Sequence, residues 1–118
     1  MNKARVISVY DGDTINCDVT YPIIKKLRAI NEQKIRIYGI DTPEIRTKNL
    51  DEKALGYKVR DYVRSIIDGK EVELLLVVDN DKYGRLLAYV FIDDMDLGEH
   101  LISIGYAKEY YGGTKQKW

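Results

Sequence analysis

The sequence predicts an α+β domain in which five short strands form a barrel, one helix follows the third strand and a second lies near the C-terminus. Three observations carry this expectation. Five segments show the alternation or the β-branched apolar runs of strands. One long amphipathic stripe marks a helix between the third and fourth of them. The first three strands follow one another without intervening helices, which argues against a parallel α/β sheet. The chain has 118 residues, 45% of them hydrophobic and 32% charged, a composition that fits a single folded domain spanning residues 1–118.

Residues 4–9 read as the first strand, and Asp11-Gly12 as a tight turn signal. Thr14–Val19 reads as the second strand. Residues 21–33 form a long mixed connection that holds Pro22 and the cations Lys25, Lys26 and Arg28. Residues 34–38 read as the third strand, with Ile35 and Ile37 on one side and Arg36 on the other. An irregular stretch broken by Pro43 leads to a helix over residues 49–67, where Leu55, Val59, Tyr62, Val63, Ile66 and Ile67 make one stripe. Asn49 and Glu52 have the spacing of a capping box, and Gly69 supplies the stop. Glu71–Val78 and Leu86–Ile92 read as the fourth and fifth strands, joined by a turn at residues 80–84. Asp96 with Glu99 opens a shorter helix that ends at Gly105. The tail, residues 110–118, is polar and ends in the sole tryptophan. This order of elements fits a five-stranded Greek-key β-barrel of the OB type.

Composition narrows the function classes. Lysine plus arginine and aspartate plus glutamate both number 19, so the net charge is zero. A general electrostatic binder of nucleic acid carries a basic excess, so any such contact here must come from a local arrangement of charge. One cysteine, Cys17, allows no internal disulfide, and with one histidine it makes no structural zinc site. His100, inside the second helix and away from other candidate groups, reads as structural. No apolar run reaches membrane-spanning length, and no signal peptide precedes the first strand. The expectation is a protein inside the cell, or one whose leader has been removed.

Three clusters carry candidate chemistry: Asp11-Gly12-Asp13-Thr14 at a strand junction, Asp41-Thr42-Pro43-Glu44 after the third strand, and Asp81-Lys82-Tyr83-Gly84-Arg85 at the mouth of the fifth. Turn chemistry accounts for each of them alone. Arg36 is harder to explain that way, since an arginine between two isoleucines must face solvent or meet a carboxylate or phosphate. Together the clusters suit phosphodiester hydrolysis, which needs a cation beside a non-bridging oxygen, a positioned water and donors for the growing charge. Asp13 and Asp41 are hard oxygen ligands suited to calcium or magnesium. Glu44 is placed to activate water, and Arg36 and Arg85 offer two-pronged contacts to phosphate.

The motifs Asp-Gly-Asp-Thr, Arg36 followed by Asp-Thr-Pro-Glu, and Lys-Tyr-Gly-Arg, in this order, resemble the staphylococcal nuclease (thermonuclease) family. The resemblance runs from about Val6 to Tyr111. It implies that calcium is held by Asp13, Asp41 and the backbone carbonyl of Thr42. It also implies that Glu44 positions or deprotonates the attacking water and that Arg36 and Arg85 clamp the scissile phosphate. Lys82, Tyr83 and Tyr111 would contact the terminal phosphate and base of the nucleotide. The implied reaction cuts DNA and RNA on the 5′-oxygen side and leaves 3′-phosphate ends. The implied substrates are single-stranded or frayed DNA and RNA, acted on by a monomer without membrane attachment.

The sequence departs from the staphylococcal enzyme in its longer connection at residues 21–33 and in lacking a third helix, features similar to the compact bacterial and phage-borne branch. The long connection, with its three cations, is expected to form one wall of the substrate cleft. The alternative function is a non-catalytic OB-type module that binds nucleic acid or protein. Such a silent copy would be expected to have lost one or more of Asp13, Arg36, Asp41, Glu44 and Arg85, and all five are present. A stand-alone oligonucleotide-binding barrel fits the ten tyrosines but not the neutral charge.

Overall fold

A computed structural model describes residues 1–19, 32–78 and 81–118. The elements in chain order are β1 (Asn2–Asp11), β2 (Thr14–Val19), β3 (Glu32–Ile37), β4 (Ile40–Asp41), α1 (Leu50–Ile67), β5 (Glu71–Val78), β6 (Leu86–Ile92), β7 (Met95–Asp96), α2 (Leu97–Ser103) and β8 (Lys108–Glu109). The five longer strands are those expected. They run in the order β3-β2-β1-β5-β6, and a parallel pairing of β3 with β6 closes the sheet into the barrel. Register shifts in β1 at Val6/Ser8 and Val9/Asp11 bend that strand, so that its first residues pair with β5 while its length pairs with β2.

Three short strands go beyond what the sequence pattern predicts. β7 returns on β6 through Asp93 and Asp94, both at positive φ (48° and 66°), the backbone that a two-residue hairpin turn needs and that aspartate tolerates. β4 pairs with β8, which ties the chain just before the tail to Asp41. β3 begins at Glu32, so the connection between β2 and β3 ends earlier than residue 33. The expectation that this connection walls the cleft falls on residues 20–31, which lie outside the described residues.

The core is apolar and continuous. Val6, Val9, Ile15, Cys17, Ile35, Ile37, Leu74, Leu86, Ala88 and Val90 fill the barrel, and Val59, Val63 and Ile67 of α1 and Leu97 and Leu101 of α2 plug it from outside. Burying each of these larger side chains contributes about 1.5–3 kcal/mol. Leu55, Tyr62 and Ile66 complete the α1 stripe as half-buried flanks. Cys17 is one of the packed side chains, and burial pushes its thiol up to about 12. His100 accepts or donates a 2.6 Å bond with the Tyr62 hydroxyl, between the two helices. Among the described residues no helix is long and apolar enough to cross a membrane.

Candidate active site

The β1–β2 turn places Asp13 at the end of the barrel. Its N–H is held by the Asp11 carboxylate at 3.1 Å, and its carbonyl accepts the Ile37 N–H at 2.8 Å. Thr14 is paired with Arg36 across β2 and β3, so the arginine emerges beside the aspartate. Arg36 Nη2 lies 3.4 Å from Asp13 Oδ2 in a pair that is nearly covered from solvent. Asp13 Oδ2 also accepts the Thr42 N–H at 3.3 Å, and Oδ1 accepts the Thr14 hydroxyl at 3.1 Å. Arg36 is held in turn by the Ile37 carbonyl, to which Nη1 donates at 2.8 Å. Burial, then the negative charge of Asp13, pushes the Asp11 carboxyl up to about 7.

Asp41 enters from β4 and is buried, as is Thr42. Its Oδ2 accepts the Trp118 Nε1–H at 3.2 Å. Its Oδ1 is buried and meets the Lys115 ammonium at 3.1 Å. Lys115 is also 3.9 Å from Glu44 Oε1. Burial works against the ammonium charge, but the carboxylates of Asp41 and Asp13 outweigh it and raise the lysine's pKa. The polar tail therefore folds back over Asp41. Lys108 fixes it by stacking on the Trp118 ring at 4.4 Å and by donating to the Lys117 carbonyl.

Glu44 is exposed on the loop that follows. Its N–H donates to Glu52 Oε2 at 2.9 Å. The capping box expected from Asn49 and Glu52 is thus half made. Asn49 does accept the Glu52 N–H, while the Glu52 side chain reaches the Glu44 loop and the Asn49 N–H turns to Thr47. Arg85 stands just before β6. Asp81 accepts from its N–H at 2.8 Å and from its Nε at 2.9 Å, and pairs with Nη2 at 2.8 Å. Tyr83 is exposed beneath the charges of Arg85 and Lys82, 5.0 and 5.2 Å from its ring centre.

These groups open on one cavity of about 620 Å³, lined by Asp13, Arg36, Asp41, Thr42, Glu44, Tyr83 and Arg85. A second cavity of about 470 Å³ shares Arg36, Tyr83, Arg85 and Lys115 with it and holds Lys82 and Tyr111. The catalytic, metal-binding and nucleotide-binding residues expected from the sequence therefore line two adjoining cavities, while Lys25, Lys26 and Arg28 lie outside the described residues. Tyr111 sits 5.5 Å from Tyr38, packed over Gly39. Two buried carboxylates from separate elements, each already drawing a cationic side chain, fit a hard oxygen-seeking cation. Among the described residues no group of three or more histidine, cysteine, aspartate or glutamate side chains surrounds that point, so carbonyl and water oxygens would have to complete its shell.

The family model described as staphylococcal nuclease homologue matches residues 34–117. The chain belongs to that family. An uncharacterized protein of Methanocaldococcus jannaschii is 33% identical over 138 residues, covering 96% of this chain and 61% of that protein. A thermonuclease of Staphylococcus hyicus is 31% identical over 115 residues, covering 97% and 63%. The endonuclease YncB of Bacillus subtilis is 29% identical over 117 residues, covering 93% and 51%. The chain spans about half to two-thirds of the length of these relatives.

Within this staphylococcal nuclease homologue, several supporting residues carry no signal that sequence reasoning could use. Gly12 and Gly56 let α1 press against the site loop. A Cβ on Gly12 would come within 2.6 Å of Val59 Cγ1 and 3.0 Å of Thr42, and one on Gly56 within 2.9 Å of the Pro43 carbonyl oxygen. Glycine adds nothing to an apolar stripe, so neither role is visible in a hydrophobic pattern. Asp81 stands inside a sequence motif, but its grip on Arg85 depends on a turn whose geometry the motif does not spell out. Tyr57 reads from its helical period as a core or boundary residue, and it stands at the boundary, 38% exposed and lining the larger cavity.

Proposed function

We propose that this chain is a calcium-dependent phosphodiesterase that hydrolyses DNA or RNA on the 5′-oxygen side and leaves 3′-phosphate ends. We read residues 1–118 as one nuclease domain that acts as a monomer. The observation that supports this best is the facing of two buried carboxylates, Asp13 and Asp41, by Arg36, Arg85 and Glu44 around one cavity.

In this reading Asp13, Asp41 and the Thr42 carbonyl hold the cation. When bound, calcium supplies Lewis-acid stabilisation of charge on the phosphate oxygens. Arg36 and Arg85 donate to the non-bridging oxygens, and they do so from fixed positions: Arg36 is braced by the Ile37 carbonyl and Arg85 by Asp81. A donor braced in advance needs no reorganisation as charge develops, which is where such groups accelerate a reaction most. Glu44 orients the attacking water or takes its proton, from a loop whose backbone is anchored by Glu52. Lys82 and Tyr83 meet the neighbouring phosphate, and Tyr111 offers a ring face to the base.

The test is digestion of single-stranded DNA and of RNA with calcium, with magnesium and with chelator, followed by identification of the ends. Cleavage that needs calcium and leaves 3′-phosphates is expected. Full activity in chelator, or 3′-hydroxyl ends, would overturn the reading. Binding without cleavage under all conditions would favour the non-catalytic alternative.

A further inference from the structure

We propose that the wall of the larger cavity formed by α1 and the loop after Glu44 is a second binding site, for single-stranded polynucleotide continuing past the scissile phosphate on the side away from Lys82 and Tyr111. The inference rests on the nuclease reading only in where it places the cut bond.

The two cavities meet at Arg36, Tyr83, Arg85 and Lys115. A phosphate seated on the arginine pair therefore has two ways out. One leads over Lys82 and Tyr111, and the other over Arg46, Lys53, Tyr57 and Arg60. Charge favours an occupant in the second arm. Among the described residues, seven lysines and arginines line the larger cavity, against four carboxylates. A chain that is neutral as a whole is thus basic here. Two of those four carboxylates, Asp13 and Asp41, are the ones assigned to the cation.

The groups on this wall suit a single strand in particular. Lys53, Tyr57 and Arg60 are spaced by four and three residues, so they form one stripe of α1 that faces the cavity. Tyr57 is 38% exposed and Tyr10, at the end of β1, is 54% exposed. Arg60 lies over the Tyr57 ring at 4.7 Å. Cations tracking a backbone, interleaved with aromatic faces on which bases stack, are how proteins hold single strands without reading sequence. A merely solvated face would pair its charges or scatter them. Arg60 does share Asp61 at 3.0 Å, but Arg46 and Lys53 have no carboxylate partner among the described residues. Both line a concave surface with no carboxylate paired to neutralise them.

With nucleotides held on both sides of the arginine pair, the protein prefers internal bonds of a strand to terminal ones. The test compares the native chain with Arg46→Gln/Lys53→Gln and with Tyr57→Ala. Binding of a fluorescein-labelled twelve-nucleotide oligothymidylate is followed by anisotropy in chelator, where no cleavage occurs, over a range of sodium chloride concentrations. Cleavage of the twelve-mer and of a dinucleotide is then measured with calcium. The double variant is expected to bind the twelve-mer about tenfold or more weakly. Its log–log salt dependence should flatten by about 0.7 for each phosphate that no longer meets a cation. Tyr57→Ala should weaken binding with the salt slope retained. In cleavage, KM for the twelve-mer should rise and its advantage over the dinucleotide should shrink. Wild-type affinity and slope in the double variant would overturn the inference and leave the nuclease reading standing, as would failure of the native chain to bind the twelve-mer at low salt while still cutting the dinucleotide. Normal binding effects with no cleavage of any substrate would sink the nuclease reading alone.

Discussion

Gly56→Ala sets two effects of opposite sign against each other at one atom. In an exposed helix interior, alanine in place of glycine stabilises by about 0.8–1.0 kcal/mol. Here the new methyl would stand 2.9 Å from the Pro43 carbonyl oxygen, 3.0 Å from that of Glu44 and 3.1 Å from the Glu44 carbonyl carbon. All three are backbone atoms, so no side chain can rotate away. Overpacking of this kind costs about 1–3 kcal/mol, which leaves a net loss between about zero and 2 kcal/mol. For a domain of this size that is a fall in Tm of up to about 8 °C, since 1 kcal/mol corresponds to about 4 °C. The strain is relieved by moving the loop that carries Glu44 outward, and small misplacements of a reacting group are expensive. A fall in kcat of about tenfold on single-stranded DNA is therefore expected, larger than the stability loss alone would cause at 25 °C. Thermal unfolding followed by circular dichroism, with kcat measured well below Tm, checks both arms. A variant stabilised by about 1 kcal/mol with unchanged kcat would refute the reasoning, because it would mean that helix and loop are not in the close contact described.

Glu52→Ala removes the acceptor for the Glu44 N–H while leaving the Asn49 cap in place, so kcat should fall by about tenfold with little change in Tm, and Glu52→Gln should recover part of it through its amide oxygen. Lys115→Ala removes the ammonium from Asp41 Oδ1; with the lysine half exposed and the aspartate buried, the contact is worth about 0.5–1 kcal/mol, so calcium should bind about two- to fivefold more tightly by calorimetry, and an unchanged Kd would show that the tail does not compete with the ion. Asp81 is buried enough to disfavour its charge, yet the hydrogen bonds and charge of Arg85 hold its pKa below the ordinary aspartate value. The stability this supplies is present above the unfolded pKa, near 3.9, and is lost as pH falls through the lower folded value. Asp81→Asn should therefore lower Tm at pH 5–7 and narrow its deficit against the native chain as pH falls below about 4.

Much of the fold is written in local pattern. Alternation in residues such as Val6, Ile15, Ile35 and Leu74 makes five strands visible, and the spacing of Val59, Val63 and Ile67 makes α1 visible. The strands β4, β7 and β8 have two residues each, too few to show a period, and they are defined only by their partners: β4 and β8 by each other, β7 by β6. The candidate residues of the site are legible because they cluster in short motifs whose chemistry is shared. Their supports are not. Glu52 satisfies a helix-cap spacing but works for another loop, Gly56 matters through an atom it lacks, and Lys115 and Trp118 reach Asp41 from more than seventy residues away. Net charge misleads for the same reason, since a sum over the chain hides how cations gather on one wall.

The parallel pairing of β3 with β6 decides when the two arginines of the site first come together. Arg36 lies on β3 opposite Leu87, and Arg85 directly precedes Leu86, the partner of Ile35. The two guanidinium groups thus sit on either side of the seam where the barrel shuts. Strands so far apart in sequence pair late in folding, because closing the long intervening loop costs entropy before the pairing returns any. Until that seam forms, a nascent or partly opened chain has its arginines apart and no clamp for phosphate. The proposed chemistry is therefore confined to the completed fold.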